Sequence, residues 1–231
     1  MVLCVLFIRL GLWQFERGNA RQEEWTRFAR GADKAVTVDS GNIASLPRFQ
    51  RVEITGRFDA EHQFLLDNRT YNGRAGYEVL TPLETPGPSR ANGQSLLIDR
   101  GWVPFTGRRD TLPNVAFEPR GEVLVKGRTD NLPAAGLAVG RAAPPKGGGW
   151  PKLTSYPTMG ELSAVLGRPL EPRIVLLDAQ EPNGYVRDWR PPGMPPLRHW
   201  SYAIQWWCFA VVVVVFWVIL SRRRPSIPMS K

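Results

Sequence analysis

The pattern of apolar and polar positions separates two unlike parts of the chain. From Trp200 to Leu220 no residue is charged, and Arg222, Arg223 and Arg224 follow at once. Wound as a helix, those 21 residues reach about 31 Å, close to the thickness of a bilayer's hydrocarbon core. The Val211–Val215 run is poor for a helix in water. In lipid, however, a single segment must satisfy its own backbone hydrogen bonds, and only a helix does so. A transmembrane helix over 199–220 is therefore predicted, with a basic tail over 221–231. Trp200, Tyr202, Trp206 and Trp207 crowd its first two turns as an aromatic belt would. The arginine run marks the far end as cytoplasmic, or as matrix-facing in a mitochondrion. His199 then falls at the outer boundary of water and lipid.

The N-terminal end repeats the pattern more weakly. Met1 to Trp13 is apolar but is interrupted by Arg9, and as a helix it covers only about 20 Å. It has neither the basic leader nor the small-residue cleavage site of a signal peptide. We expect a first transmembrane helix over 1–15 whose start lies upstream of Met1. The charged stretch that follows, to Arg30, carries Trp25 and Phe28 at helical spacing.

Between the two ends the period changes to two. Arg51-Val52-Glu53-Ile54-Thr55-Gly56-Arg57-Phe58 alternates as a half-buried strand does, and further strands are expected at 63–68, 76–82, 96–103, 122–128 and 173–178. Asn72-Gly73, Pro86-Gly87-Pro88, Asn92-Gly93 and Gly107 supply turns, and Gly73-Arg74-Ala75-Gly76 reads as part of a hairpin. Val52 to Asp59 is echoed by Val123 to Asp130, with Val, Gly, Arg and Asp in step. Gly56 and Gly127 are thus candidates for equivalent bends in a barrel-like sheet. The stretch from Leu132 to Pro151 is rich in Gly, Ala and Pro and reads as a loop. Thr158-Met159-Gly160-Glu161 is a capping box opening a short helix to Leu166, ended by Gly167 and Pro169. Arg190 to Pro196, with four prolines, forms a stiff lead into the membrane helix. The fold expected is a membrane-anchored, mainly-β chain: an antiparallel, barrel-like soluble domain over 16–196 between two transmembrane helices.

Charge and composition narrow the function. The net charge is +9, but all 21 acids lie between Glu16 and Asp188. With 25 Lys or Arg between Gln14 and Arg198, the middle carries only +4. The remainder sits at the membrane flanks, and no basic cluster is interleaved with aromatics, so nucleic acid is not an expected partner. The two cysteines, Cys4 and Cys208, lie in the apolar ends, leaving the middle without a disulfide or a thiolate nucleophile. Two histidines, His62 and His199, exclude a zinc site built from several histidines. There is no Gly-x-Ser-x-Gly, no phosphate loop and no His-Glu-x-x-His, so no enzyme activity is expected.

Five short motifs in one order carry a resemblance. These are Leu10-Gly11-Leu12-Trp13-Gln14 with Arg17; Arg51-Val52 leading to Gly56; Gly76-Tyr77-Glu78-Val79 with Pro82; Asp99-Arg100-Gly101-Trp102-Val103-Pro104; and His199 with Tyr202-Ala203-x-Gln205-Trp206. Together they resemble the Surfeit locus protein 1 family over nearly the whole chain. The resemblance implies two transmembrane helices around a domain on the periplasmic or intermembrane-space side of a bacterial plasma membrane or mitochondrial inner membrane. It implies a role in cytochrome c oxidase assembly, in the delivery of haem a to oxidase subunit I, with haem A synthase as a further partner. Haem a is then the implied cofactor. The residues placed towards it are His199, as ligand to the haem iron, with Gln205, Trp206, Trp13, Gln14, Arg17 and Arg100. The short N-terminus bearing Arg9 departs from that pattern.

Plainer readings stand beside these. Gly101 permits a bend, and Trp102 can simply plug the sheet. Trp13, Gln14 and Arg17 can be an interfacial anchor, His199 a histidine kept wet at the interface, and His62 a solvated residue near a strand start. Gln205 in an apolar segment wants a hydrogen-bond partner. Arg100, following Asp99, is expected either to pair with a carboxylate of the domain or to reach an acidic group outside it. Two functions follow: an assembly factor that binds or relays haem, or a cofactor-free scaffold that docks oxidase subunits.

Overall fold

A computed structural model describes residues 2–31, 34–38, 43–86, 94–118, 121–133 and 140–222. It forms two units, one of residues 1–29 with 190–231 and one of residues 30–189.

The first unit is a helical pair. Helix α1 (Val2–Arg30) runs unbroken through the expected boundary at residue 15. The C-terminal helix α3 (Pro196–Arg222) starts three residues earlier than the apolar pattern suggests, because a proline is well placed in a first helical turn. The buried positions of α1 are Cys4, Gly11 and Gly18, and those of α3 are Pro196, Ala203 and Ala210. Each set recurs every seven residues, which keeps one narrow stripe of a helix facing a partner. The residues in that stripe are small, so the backbones approach closely. A Cβ on Gly11 would collide with the Trp207 indole, and one on Gly18 with that of Trp200. The helices are therefore antiparallel, and two expected belt residues turn inward onto α1.

Among the described residues, α3 is the one helix long and apolar enough to cross a membrane. The apolar half of α1 falls short, as its thirteen-residue length and Arg9 foreshadow. Arg223, Arg224 and the rest of the basic tail lie outside the described residues.

The second unit is the β-domain. Its strands are β1 (Val36–Thr37), β2 (Arg51–Phe58), β3 (Phe64–Tyr71), β4 (Arg74–Glu84), β5 (Ser95–Pro104), β6 (Val123–Asp130), β7 (Lys152–Thr154) and β8 (Leu170–Leu177). A 3-10 turn, Ile43–Ser45, follows β1, and helix α2 (Met159–Leu166) precedes β8. The sheet order is β1-β2-β6-β8-β5-β4-β3-β7, and the pairs Arg57↔Glu84 and Phe58↔Leu83 join β2 back to β4. Five strands thus close a barrel, as expected. Numbered along the chain they run first, second, third, fifth, fourth, which is the connectivity of a five-stranded Greek-key barrel of the OB type.

The sheet is mainly antiparallel, as expected, but not throughout. β5 runs parallel to β8, β1 to β2, and β3 to β7. The connection from β5 to β8 carries two strands and a helix, so it can return the chain in the same direction. β7 begins directly after the stretch read as a loop, and neither β7 nor β1 has an alternating pattern of its own. Residues 134–139 of that stretch, 87–88 and the Asn92-Gly93 turn are outside the described residues.

Alternate residues of the five barrel strands fill the lumen: Val52, Ile54 and Phe58, Leu83, Leu96 and Ile98, Val125, and Val175 with Leu177. A second cluster lies where α2 contributes Leu162 against Leu80, Leu97, Ile174 and Leu176. The helix starts as its capping box predicts. The Thr158 side chain accepts from Glu161 N–H, Glu161 reaches back to Thr158 N–H, and Gly167 closes the far end at φ 77°. Asn72 (φ 47°) and Gly73 (φ 75°) form the tight turn between β3 and β4.

Candidate functional site

The helical unit brings two of the candidate residues together. His199 lies in the first turn of α3 and Gln14 midway along α1, and His199 Nδ1 stands 2.9 Å from Gln14 Oε1. An amide oxygen can only accept, so the ring nitrogen is the donor. Both side chains are half-buried. Close packing at Gly11 and Gly18 draws the helices near enough for this bond. On the same face, Trp200 Nε1 donates to Asn19 at 3.3 Å.

The other candidates are placed less closely. Trp206, seven residues beyond His199, stacks on Phe7 at 5.7 Å between centroids, and both meet Phe209. Trp13 is exposed and carries the Arg17 guanidinium 5.9 Å above its ring. Gln205 is exposed and bonds to nothing among the described residues. The helical unit thus pairs His199 with Gln14, and Trp13 with Arg17, but does not gather all six of its candidates into one cluster.

Arg100 belongs to the domain and is 2% exposed. It follows Leu96 and Ile98 in the inward alternation of β5. Its Nε donates to the Asn183 carbonyl at 2.7 Å, and its Nη1 to Gln63 Oε1 at 3.0 Å and Thr81 Oγ1 at 3.4 Å. The Phe117 ring lies 3.7 Å from its guanidinium carbon and the Tyr185 ring 5.0 Å. Among the described residues no carboxylate pairs with it, and its side chain is buried in the domain. Neutral acceptors and ring faces hold the cation instead, and burial lowers its pKa while Tyr185 raises it in part.

The neighbouring Asp99 is 1% exposed and accepts from Gly101 N–H at 3.0 Å. Burial, followed by the nearby Glu78, pushes its carboxyl well above the usual range. Glu78 is also raised by burial, although Arg69 at 2.9 Å pulls it back. Gly101 takes φ 106° and lets the Val186 carbonyl approach closely, which is the glycine-permitted bend. His62 is held by Asp59 at 2.8 Å rather than simply solvated.

The structure also shows residues that sequence reasoning left out: the packing partners Gly11 and Gly18, Phe7 beneath Trp206, and Phe117 against Arg100. The seven-residue repeat of small residues was a readable signal for the first pair. No groups of His, Cys, Asp or Glu that could hold a metal ion occur among the described residues.

The fold and the site define a membrane-associated protein in which a five-stranded barrel domain accompanies a helical pair, with a histidine near the start of the membrane-capable helix. The chain matches the model of the SURF1 family over residues 1–211 and belongs to that family, the Surfeit locus protein 1 family. The family is known for cytochrome c oxidase assembly. A search of curated proteins gave no match.

Proposed function

We propose that this chain acts in cytochrome c oxidase assembly by holding haem a in transit towards oxidase subunit I, with His199 as the iron ligand. The observation that carries this reading is the state of the His199 ring: one nitrogen is engaged by Gln14, and the other bonds to nothing among the described residues. One free imidazole nitrogen on a half-exposed ring fits a haem that is to be handed on, because a single axial nitrogen suffices. Trp200 and Trp206 nearby supply apolar surface suited to a macrocycle. When bound, haem supplies only an iron open to ligation; His199 binds, Gln14 orients, and the helices exclude water.

The apolar half of α1 is embedded beside α3, so the protein is anchored by two helices. Val2, Leu3, Val5, Leu6, Ile8 and Leu12 are exposed on α1, which suits lipid better than water. With both helices embedded, the barrel lies on the periplasmic or intermembrane-space side and both termini on the other. Arg100 is then a structural residue of the domain rather than a contact to haem. Haem A synthase is the natural donor on this scheme.

The test is the absorption spectrum of the protein purified from a host that makes haem a, alongside His199→Ala at equal protein level. A Soret band lost in His199→Ala supports the reading. A colourless wild-type preparation that still restores oxidase assembly favours the scaffold. Protease added at the outer face should digest the barrel and spare the C-terminus.

A further inference from the structure

The bond between His199 and Gln14 joins side chains 185 positions apart, and its direction has a chemical consequence. A neutral imidazole carries one proton, and the nitrogen without it holds the lone pair that binds a metal. Gln14 Oε1, 2.9 Å from Nδ1, places the proton on Nδ1 and leaves the lone pair on Nε2. We infer that Gln14 is a positioning residue for His199: it selects the Nε2-ligating tautomer, fixes the ring between the helices, and keeps the ligand a neutral imidazole of moderate strength. The inference rests on the haem-carrier reading above, but its first test does not.

The identity of the acceptor matters. A carboxylate in the same place would draw the Nδ1 proton towards itself and make the imidazole a stronger donor to iron. An amide oxygen is a weaker, uncharged acceptor, so it orients the ring without that gain in basicity. Its neutrality also avoids placing a second ion beside the apolar run of α3, where charge is costly. A ligand that is well oriented but only moderately basic suits a haem that must leave again. A close helix contact is also required to bring an amide from α1 to the first turn of α3, and the glycines at Gly11 and Gly18 supply it. Gln14 itself does not ligate iron: its oxygen is turned to the ring.

The chain has two histidines, His62 and His199, which makes the first measurement direct. Full-length protein labelled with 15N in the histidine rings, in detergent at pH 8 where imidazole is neutral, is compared with His199→Ala to assign the signals. The wild type should show His199 with a protonated Nδ1 and an unprotonated Nε2. Gln14→Leu should lose that preference, and Gln14→Glu should keep it. A wild-type His199 carrying its proton on Nε2, or a Gln14→Leu spectrum unchanged from wild type, would overturn the inference whether or not haem binds.

The second measurement uses haem a itself. Gln14→Leu should weaken haem binding by about 10–100-fold. Gln14→Glu should raise the iron–imidazole stretching frequency in resonance Raman and slow the loss of haem to added apomyoglobin. Haem binding that depends on His199 yet is identical in all three Gln14 forms counts against Gln14 and leaves the carrier reading standing. Absence of haem from the wild type, with the Nδ1–H tautomer present, removes the carrier reading and with it any role of Gln14 in ligation.

Discussion

The guanidinium carbon of Arg100 stands 3.7 Å from the centroid of the Phe117 ring, in the interior of the barrel domain. A buried cation is costly, and here ring faces and neutral oxygens offset the cost. The arrangement uses the planar fork of arginine, with Nε and Nη1 serving different acceptors. Lysine offers a point charge and no second edge. Arg100→Lys is expected to destabilise the domain by about 2–4 kcal/mol, since hydrogen bonds to charged groups contribute roughly 1.5–3 kcal/mol each. Denaturant unfolding of the full chain in detergent, followed by tryptophan fluorescence, checks this. A fully stable Arg100→Lys protein that fails in oxidase assembly would instead assign the guanidinium to a partner.

Gly11 is the second place where one side chain decides a structure. The Trp207 indole occupies the space a Cβ would need, so Gly11→Val must push the helices apart or expel the indole. We expect the variant to melt at lower temperature in detergent and its tryptophan emission to shift. Leu12→Val, one position along on an exposed face, should leave both unchanged and serves as the control.

The Asp99 carboxyl predicts a pH dependence. Burial raises its pKa well above the ordinary range of a carboxyl group, so the folded state keeps a proton that the unfolded state gives up. Between the two pKa values the unfolded state therefore binds fewer protons, and stability falls as pH rises. Melting curves at increasing pH above about 4 should show this decline in the wild type and a smaller one in Asp99→Asn. An equal slope in both proteins would mean that Asp99 is ionised in the fold.

The capping box of α2 gives a smaller effect. Thr158→Ala removes the acceptor for Glu161 N–H and should cost about 1 kcal/mol. For a chain of this size that lowers the melting temperature by roughly 2–4 °C. Thr158→Ser, which keeps the hydroxyl, should restore most of it.

Much of the fold was readable from local pattern. Period-two alternation located β2 because one of its faces is buried, and Thr158, Glu161 and Gly167 marked the ends of α2 because capping acts locally. The uncharged run from Trp200 to Leu220 announced the membrane-capable helix through length alone. The echo between Val52-to-Asp59 and Val123-to-Asp130 was also visible, but its meaning was not. The two segments pair with each other, antiparallel, so that Val52 faces Gly127 and Gly56 faces Val123. Each glycine admits the neighbouring strand, β4 at Gly56 and β8 at Gly127.

What only the tertiary structure decided depends on contacts between distant positions. The parallel placement of β5 beside β8 follows from how a long connection returns the chain, and no period in either strand encodes it. Arg100 could be read as pairing with a carboxylate of the domain or reaching an acidic group outside it; only the fold brings Phe117 and Asn183 against it. The pairing of His199 with Gln14 likewise needed two helices whose small residues recur every seven positions. The sequence by itself determined the helices, most strands and the candidate histidine, because periodicity, capping and hydrophobic length act within one segment. Partner and orientation came from packing, because a hydrogen bond between residues 14 and 199 is specified by neither segment alone.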